Sequence, residues 1–124
     1  IINQWVTQNI SEVKDFLGVF HSFEGNALQG LKVRSLRMAI GIGGPVTFRN
    51  ALEKQNMIKE LGIQNLVLET DSPFLSPHPF RGNPNEPARI PIIGQKISEL
   101  LGMPLVEVAK VTTANARSLF RWDD

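Results

Sequence analysis

Three short apolar runs, residues 17–23, 38–44 and 65–71, alternate with stretches of helical spacing, and that alternation admits very few folds. A strand, a crossing helix and a second strand of the same sheet run parallel with a right-handed crossover, and such a sheet is covered on both faces. The runs LGVFHSF, MAIGIGG and NLVLETD read that way, nearly continuous in apolar and β-branched residues. The expected fold class is α/β, in the order helix, strand, helix, strand, helix, strand, loop, helices.

The helical stretches differ in quality. Ile2, Trp5, Val6, Ile10, Val13 and Phe16 suggest a helix end, a turn and a short helical piece capped by Ser11. Residues 26–37 should cross back over the sheet, although Gly30 inside them costs about 1 kcal/mol of helix propensity. Their cations Lys32, Arg34 and Arg37 read either as a solvated helix face, the favoured account, or as a phosphate-facing patch. Residues 50–61 form a helix stopped by Gly62, and residues 90–101 form one with Ile93, Ile97, Leu100 and Leu101 on one face and Gly102 as its stop. A short helix over 104–111 begins at Pro104, and a final helix over 112–120 is capped by Thr112 or Thr113.

In a parallel sheet, function gathers at the carboxyl ends of the strands. The stretch 66–87, LVLETDSPFLSPHPFRGNPNEP, leaves a buried strand as Glu69, Thr70 and Asp71 and enters a proline-rich loop. Strand alternation puts Glu69 and Asp71 on one side. His21 stands at the end of the first run, so an imidazole and two carboxylates share that edge, a donor set suited to Zn or Mn, or by oxygen alone to Mg. A cation held there would activate water for attack on an electrophile, with Asp71 as ligand or proton acceptor. The plainer accounts make His21 a core side chain, and Glu69 and Asp71 caps of the next segment or partners of Arg81. Arg81 with Gly82 offers a planar fork to a phosphate. His78, between two prolines, reads as exposed, and 85–87 as a brace for the loop.

Composition narrows the partners. With 13 Lys+Arg against 12 Asp+Glu the net charge is +1, so a nucleic-acid role needs a local patch. No cysteine is present, which excludes disulfides, thiolate metal sites and a Cys nucleophile and fits a cytoplasmic protein. No apolar run approaches the roughly 18 residues of a membrane span.

Four blocks carry a family resemblance: GVFHSFEG (18–25), IGIGGPVTF (40–48), ETDSPFLSPHPFRGNPNEPARIP (69–91) and VTTANARSLF (111–120). In this order they resemble the TatD-type metal-dependent deoxyribonucleases, TIM-barrel members of the amidohydrolase-like metallohydrolases. The resemblance implies cleavage of DNA phosphodiesters with two divalent metals, of Mg, Mn or Zn type, at the barrel's C-terminal face. It implies that His21 is a metal ligand, Asp71 a metal-binding residue that activates water, and Glu69 a neighbouring carboxylate in or behind the metal shell. Arg81 becomes a phosphate contact, Thr47, Gly43 and Gly44 pocket lining, and Asn115 a brace for the last helix.

The same resemblance exposes what the chain lacks. The family's opening His-x-His strand, its further Glu and a further His have no counterpart here, where His21 and His78 are the only histidines. A (β/α)8 barrel runs to about 250 residues with eight strands, and three are expected here. The chain, which opens on Ile1 rather than Met, therefore reads as one C-terminal fragment, residues 1–124, of such a barrel, expected to be inactive alone. Its expected partners are DNA, the missing N-terminal half of the barrel and, through exposed sheet edges, further copies of itself. The alternatives are a metallohydrolase of the same barrel acting on another ester or phosphate, or a half-barrel interaction module without catalysis.

Overall fold

The structure is a computed structural model that describes residues 15–122. The expected opening helical piece and its Ser11 cap lie outside them. Strand β1 (Gly18–Phe20) leads into helix α1 (Ala27–Ser35), strand β2 (Met38–Ile42), a 3-10 turn (Gly44–Thr47), helix α2 (Leu52–Leu61) and strand β3 (Leu66–Leu68). A second 3-10 turn (Pro87–Arg89) then opens helix α3 (Ile90–Leu101), and helix α4 (Leu105–Phe120) completes the described chain. The sheet has three strands in the order β1-β2-β3, all parallel, as the alternation of runs requires.

Register decides where function can assemble. Phe20 pairs with Ile40 and Ile40 with Leu66, while Ile42 pairs with Leu68, so the three strands end on one edge. His21, Gly43 and Glu69 are the first residues beyond them. The helices cover the sheet with a core in which Ile40, Ile42, Met57, Ile58, Leu66 and Ile93 are fully buried. Among the described residues no helix is long and apolar enough to cross a membrane.

Several elements depart from expectation for visible reasons. The strands are shorter than their apolar runs because the chain turns out of the sheet where the polar residues begin. Ser22 takes a positive φ of 48°, and after β3 the backbone folds into a tight turn in which Phe74 N–H donates to Asp71 O at 2.6 Å. Helix α1 starts with a complete capping box, Asn26 Oδ1 accepting from Gln29 N–H and Gln29 Oε1 from Asn26 N–H. Its Gly30 is buried against α2, where an added Cβ would stand 2.8 Å from Leu61 Cδ2, so the glycine is there for helix contact. Arg34 is no solvated cation, since its guanidinium donates to Leu61 O at 2.5 Å and to Asn65 Oδ1 at 3.2 Å.

The clearest correction concerns the end of the chain. The two helices expected over 104–111 and 112–120 are one 16-residue helix, α4, entered from Pro104. Thr112 does not cap anything: it is buried, and its hydroxyl donates to Val108 O at 2.8 Å within the helix. Asn115 reaches outward to the sheet, its Nδ2 donating to Leu66 O at 2.8 Å.

Candidate functional site

The edge formed by the strand ends carries a connected polar group. Glu69 Oε2 lies 2.7 Å from His21 Nδ1, and Glu69 Oε1 accepts the backbone N–H of Ser22 at 2.5 Å. The left-handed backbone of Ser22 turns that N–H toward the carboxylate. With Nδ1 occupied, His21 presents Nε2 outward, 3.9 Å from Asp71 Oδ1. The Glu69 side chain is 16% exposed, against 58% for His21 and 45% for Asp71, so Glu69 is the sheltered support and the other two face solvent.

Gly41 explains how Glu69 reaches across β2. A Cβ on Gly41 would overlap the Glu69 carboxylate, so the bare backbone of the central strand is the channel through which β3's carboxylate meets β1's histidine. The bond to Glu69, then the charge of Glu69, raise the His21 pKa above its ordinary 6.5; slight burial opposes this and Asp71 adds to it.

The donor chemistry fits a divalent ion, because an imidazole whose other nitrogen is held by a carboxylate is the usual metal-ligand arrangement. His21 Nε2 and Asp71 are the exposed donors, and their separation of 3.9 Å is within the span of two ligands on one ion. They do not complete a coordination shell, and among the described residues no three His, Cys, Asp or Glu side chains are grouped to hold a metal.

Behind this group lies a cavity of about 20 Å³, walled by Ser22, Glu24, Gly44, Lys54, Glu69 and Asp71 among others, with room for one water molecule. Lys54 and Glu24 form an ion pair there. Sequence reasoning placed neither residue in the site; the available signal was a lysine in register with the apolar positions Met57, Ile58 and Leu61 of its helix.

The other expected residues are spread around this centre. Gly43 and Gly44 line the cavity, and a Cβ on Gly44 would overlap Leu75 O, so its absence lets the loop lie against the strand ends. Thr47 faces a different groove with His78 and Pro91; its hydroxyl donates to Gly44 O at 2.7 Å and accepts His78 N–H at 2.8 Å. Arg81 pairs with neither carboxylate. Its guanidinium lies 3.7 Å over the ring of Phe48, in an open groove of about 640 Å³ shared with Phe74 and Asn83. Leu75 belongs to the walls of both that groove and the cavity. Buried Asn85 braces the loop, its Nδ2 donating to Phe74 O at 2.9 Å.

Comparison with known proteins places these features in a family. A family model described as TatD related DNase matches residues 4–121. The chain is 42% identical over 104 residues to an uncharacterized metal-dependent hydrolase, YabD, of Bacillus subtilis, covering 84% of this chain and 41% of that protein. It superposes on the crystal structure of YjjV, a TatD homologue of Escherichia coli, with a TM-score of 0.79 and 32% identity, over 86% of this chain and 41% of the other. An uncharacterized amidohydrolase from Saccharomyces cerevisiae shares the fold, with a TM-score of 0.68 at 20% identity over 82% of this chain and 39% of the other. The three strands and their helices are thus part of a TIM barrel. The chain spans about two fifths of the length of the relatives it matches.

Proposed function

The chain belongs to the TatD related DNase family, and from that premise we propose that the protein is a divalent-metal-dependent hydrolase of DNA phosphodiester bonds, acting in the cytoplasm. The observation that carries the reading is the Glu69–His21–Asp71 group, in which side chains from the ends of the two outer strands meet across β2. His21 Nε2 and Asp71 would hold the metal, with the remaining ligands and a second ion supplied by the part of the barrel outside this chain. When bound, the metal lowers the pKa of a water and offsets charge on the phosphate.

The chain's own residues do the rest. Glu69 fixes the His21 tautomer with the Nδ1 proton facing inward and Nε2 as the unprotonated nitrogen, 3.4 Å from Ser22 Oγ. Asp71 Oδ1 takes the proton of the attacking water. Arg81, held over the ring of Phe48, contacts a phosphate of the substrate from the adjoining groove, and Gly43 and Gly44 line the pocket at the strand ends.

The test is a DNA-cleavage assay on the full-length parent protein with Mg, Mn or Zn, beside an Asp71→Asn variant. Metal-dependent cleavage that falls by two or more orders of magnitude in the variant supports the reading. Cleavage of other phosphate or carboxylic esters with DNA untouched would replace DNA as the substrate. The isolated 124 residues should bind metal weakly and leave DNA intact.

A further inference from the structure

One wall of the small cavity carries a charge with no part in that chemistry. Lys54 is 6% exposed and belongs to the buried stripe of α2 with Met57, Ile58 and Leu61, a place where an apolar side chain would extend the core. It stands in the first turn of α2, where the helix dipole disfavours a cation, so it does not serve the helix. Its ammonium pairs with Glu24, whose side chain is 72% exposed and, among the described residues, makes no other polar contact. A buried ammonium is therefore neutralised by a loosely held carboxylate from the loop after β1.

We propose that Lys54 is an oxyanion-binding residue of this site and that Glu24 is its resident counter-ion, displaced when a phosphate oxygen of the substrate arrives. The inference rests on the phosphoester reading. Lys54 opens onto the same cavity as Glu69 and Asp71, two carboxylates that would repel a phosphate group without a nearby cation. The cavity of about 20 Å³ admits one water and not a phosphate group beside Glu24. A phosphate oxygen can reach Lys54 by taking the place of the Glu24 carboxylate, and Glu24, already largely exposed, returns to solvent as the phosphate takes over the pairing with the buried ammonium.

The opposite signs of two substitutions test this. Inorganic phosphate is titrated, without metal and at constant ionic strength, into the chain, Glu24→Gln and Lys54→Met. Amide NMR shifts of Ser22, Gly43 and Gly44 report the cavity, and those of Gly82 and Asn83 report the Arg81 groove. Glu24→Gln should tighten phosphate binding at the cavity amides by about threefold or more, because the competing ion pair is gone. Lys54→Met should abolish the cavity shifts while the groove amides respond as before. A pair that only staples the loop to α2 predicts that Glu24→Gln weakens binding or leaves it unchanged, and either result overturns the proposal. So do wild-type affinity in a folded Lys54→Met and an absence of cavity shifts in both the unmodified chain and Glu24→Gln. Should Lys54→Met fail to fold, the sign of the Glu24→Gln effect decides alone. Failure of the phosphoester reading would show separately, in the DNA assay on Asp71→Asn.

Discussion

At the scale of single residues, the site depends on an atom that is missing. Gly41 has no side chain, and the Glu69 carboxylate occupies the space a Cβ would need. Gly41→Ala should therefore displace Glu69 and destabilise the chain by about 1–3 kcal/mol, as overpacking does, which urea denaturation would measure. The same displacement has an electrostatic signature. Followed by NMR, the imidazole of His21 should titrate above 6.5 in the unmodified chain, and closer to 6.5 in Glu69→Gln and Gly41→Ala. The sign extends to stability: because folding raises this pKa, the contribution of His21 is fully present below pH 6.5 and fades as pH rises through the raised value. Metal requires the deprotonated Nε2, so metal affinity should move the other way and grow over that interval. A titration midpoint unmoved by Glu69→Gln would remove Glu69 as the group that orients His21. His21, Glu69 and Asp71 were legible because strand ends in a parallel sheet face one edge. Lys54 was not, since a lysine on a helix reads as solvated and only the packing of α2 shows it inside. Arg81 was legible as a cation and not by its place, which its stacking on Phe48 determines.

At the scale of elements, the same physics separates what could be read from what could not. The three strands and helices α2 and α3 follow from apolar periodicity and glycine stops, and they stand within a few residues of expectation. Helix α1 has a weak pattern because its contacts are unusual: Gly30 packs on Leu61, and Arg34 ties the helix to Leu61 O and Asn65. Propensity alone says that Gly30→Ala should stabilise α1 by about 1 kcal/mol. The Cβ would stand 2.8 Å from one Leu61 methyl and 3.1 Å from the other, with Leu61 itself buried, so overpacking should outweigh propensity. The expected result is a net loss of about 1 kcal/mol in denaturant unfolding; a gain would mean that α1 and α2 separate freely. Helix α4 was read as two pieces because a Thr-Thr pair looks like a cap. A cap hydroxyl oxygen accepts an unpaired N–H at a helix start, whereas Thr112 lies inside the continuous helix, where its hydroxyl donates back to Val108 O. Asn115, three residues on, ties α4 to β3: Ile40 N–H donates to Asn65 O, so by strand alternation the next carbonyl, Leu66 O, faces away from β2 and accepts from the Asn115 amide instead.

At the scale of the whole molecule, the fold is a sector of a closed structure. Among the described residues β1 and β3 each pair with β2 alone, so neither has a strand partner on its other side, although the outward N–H and C=O of Leu66 are taken by Ile63 O and the Asn115 amide. A closed barrel leaves no such edge. Val19, on β1, is 36% exposed, and Phe120, the last residue of α4, stacks on Trp122 just beyond it, both largely exposed. The strand count in the sequence already pointed to three strands of a barrel; it did not disclose which surfaces those strands leave bare, because exposure depends on what packs where. The consequence is an association that depends on concentration. Size-exclusion chromatography with light scattering, run over a hundredfold range of protein concentration, should show the 124-residue chain passing from monomer to larger species. On the proposed function, adding the N-terminal portion of a TatD-family barrel should suppress that association and, where the barrel closes, give metal-dependent cleavage that Asp71→Asn abolishes. A monomer at every concentration, with no response to the N-terminal portion, would mean that the edges of β1 and β3 are already covered and that the three strands stand as a module of their own.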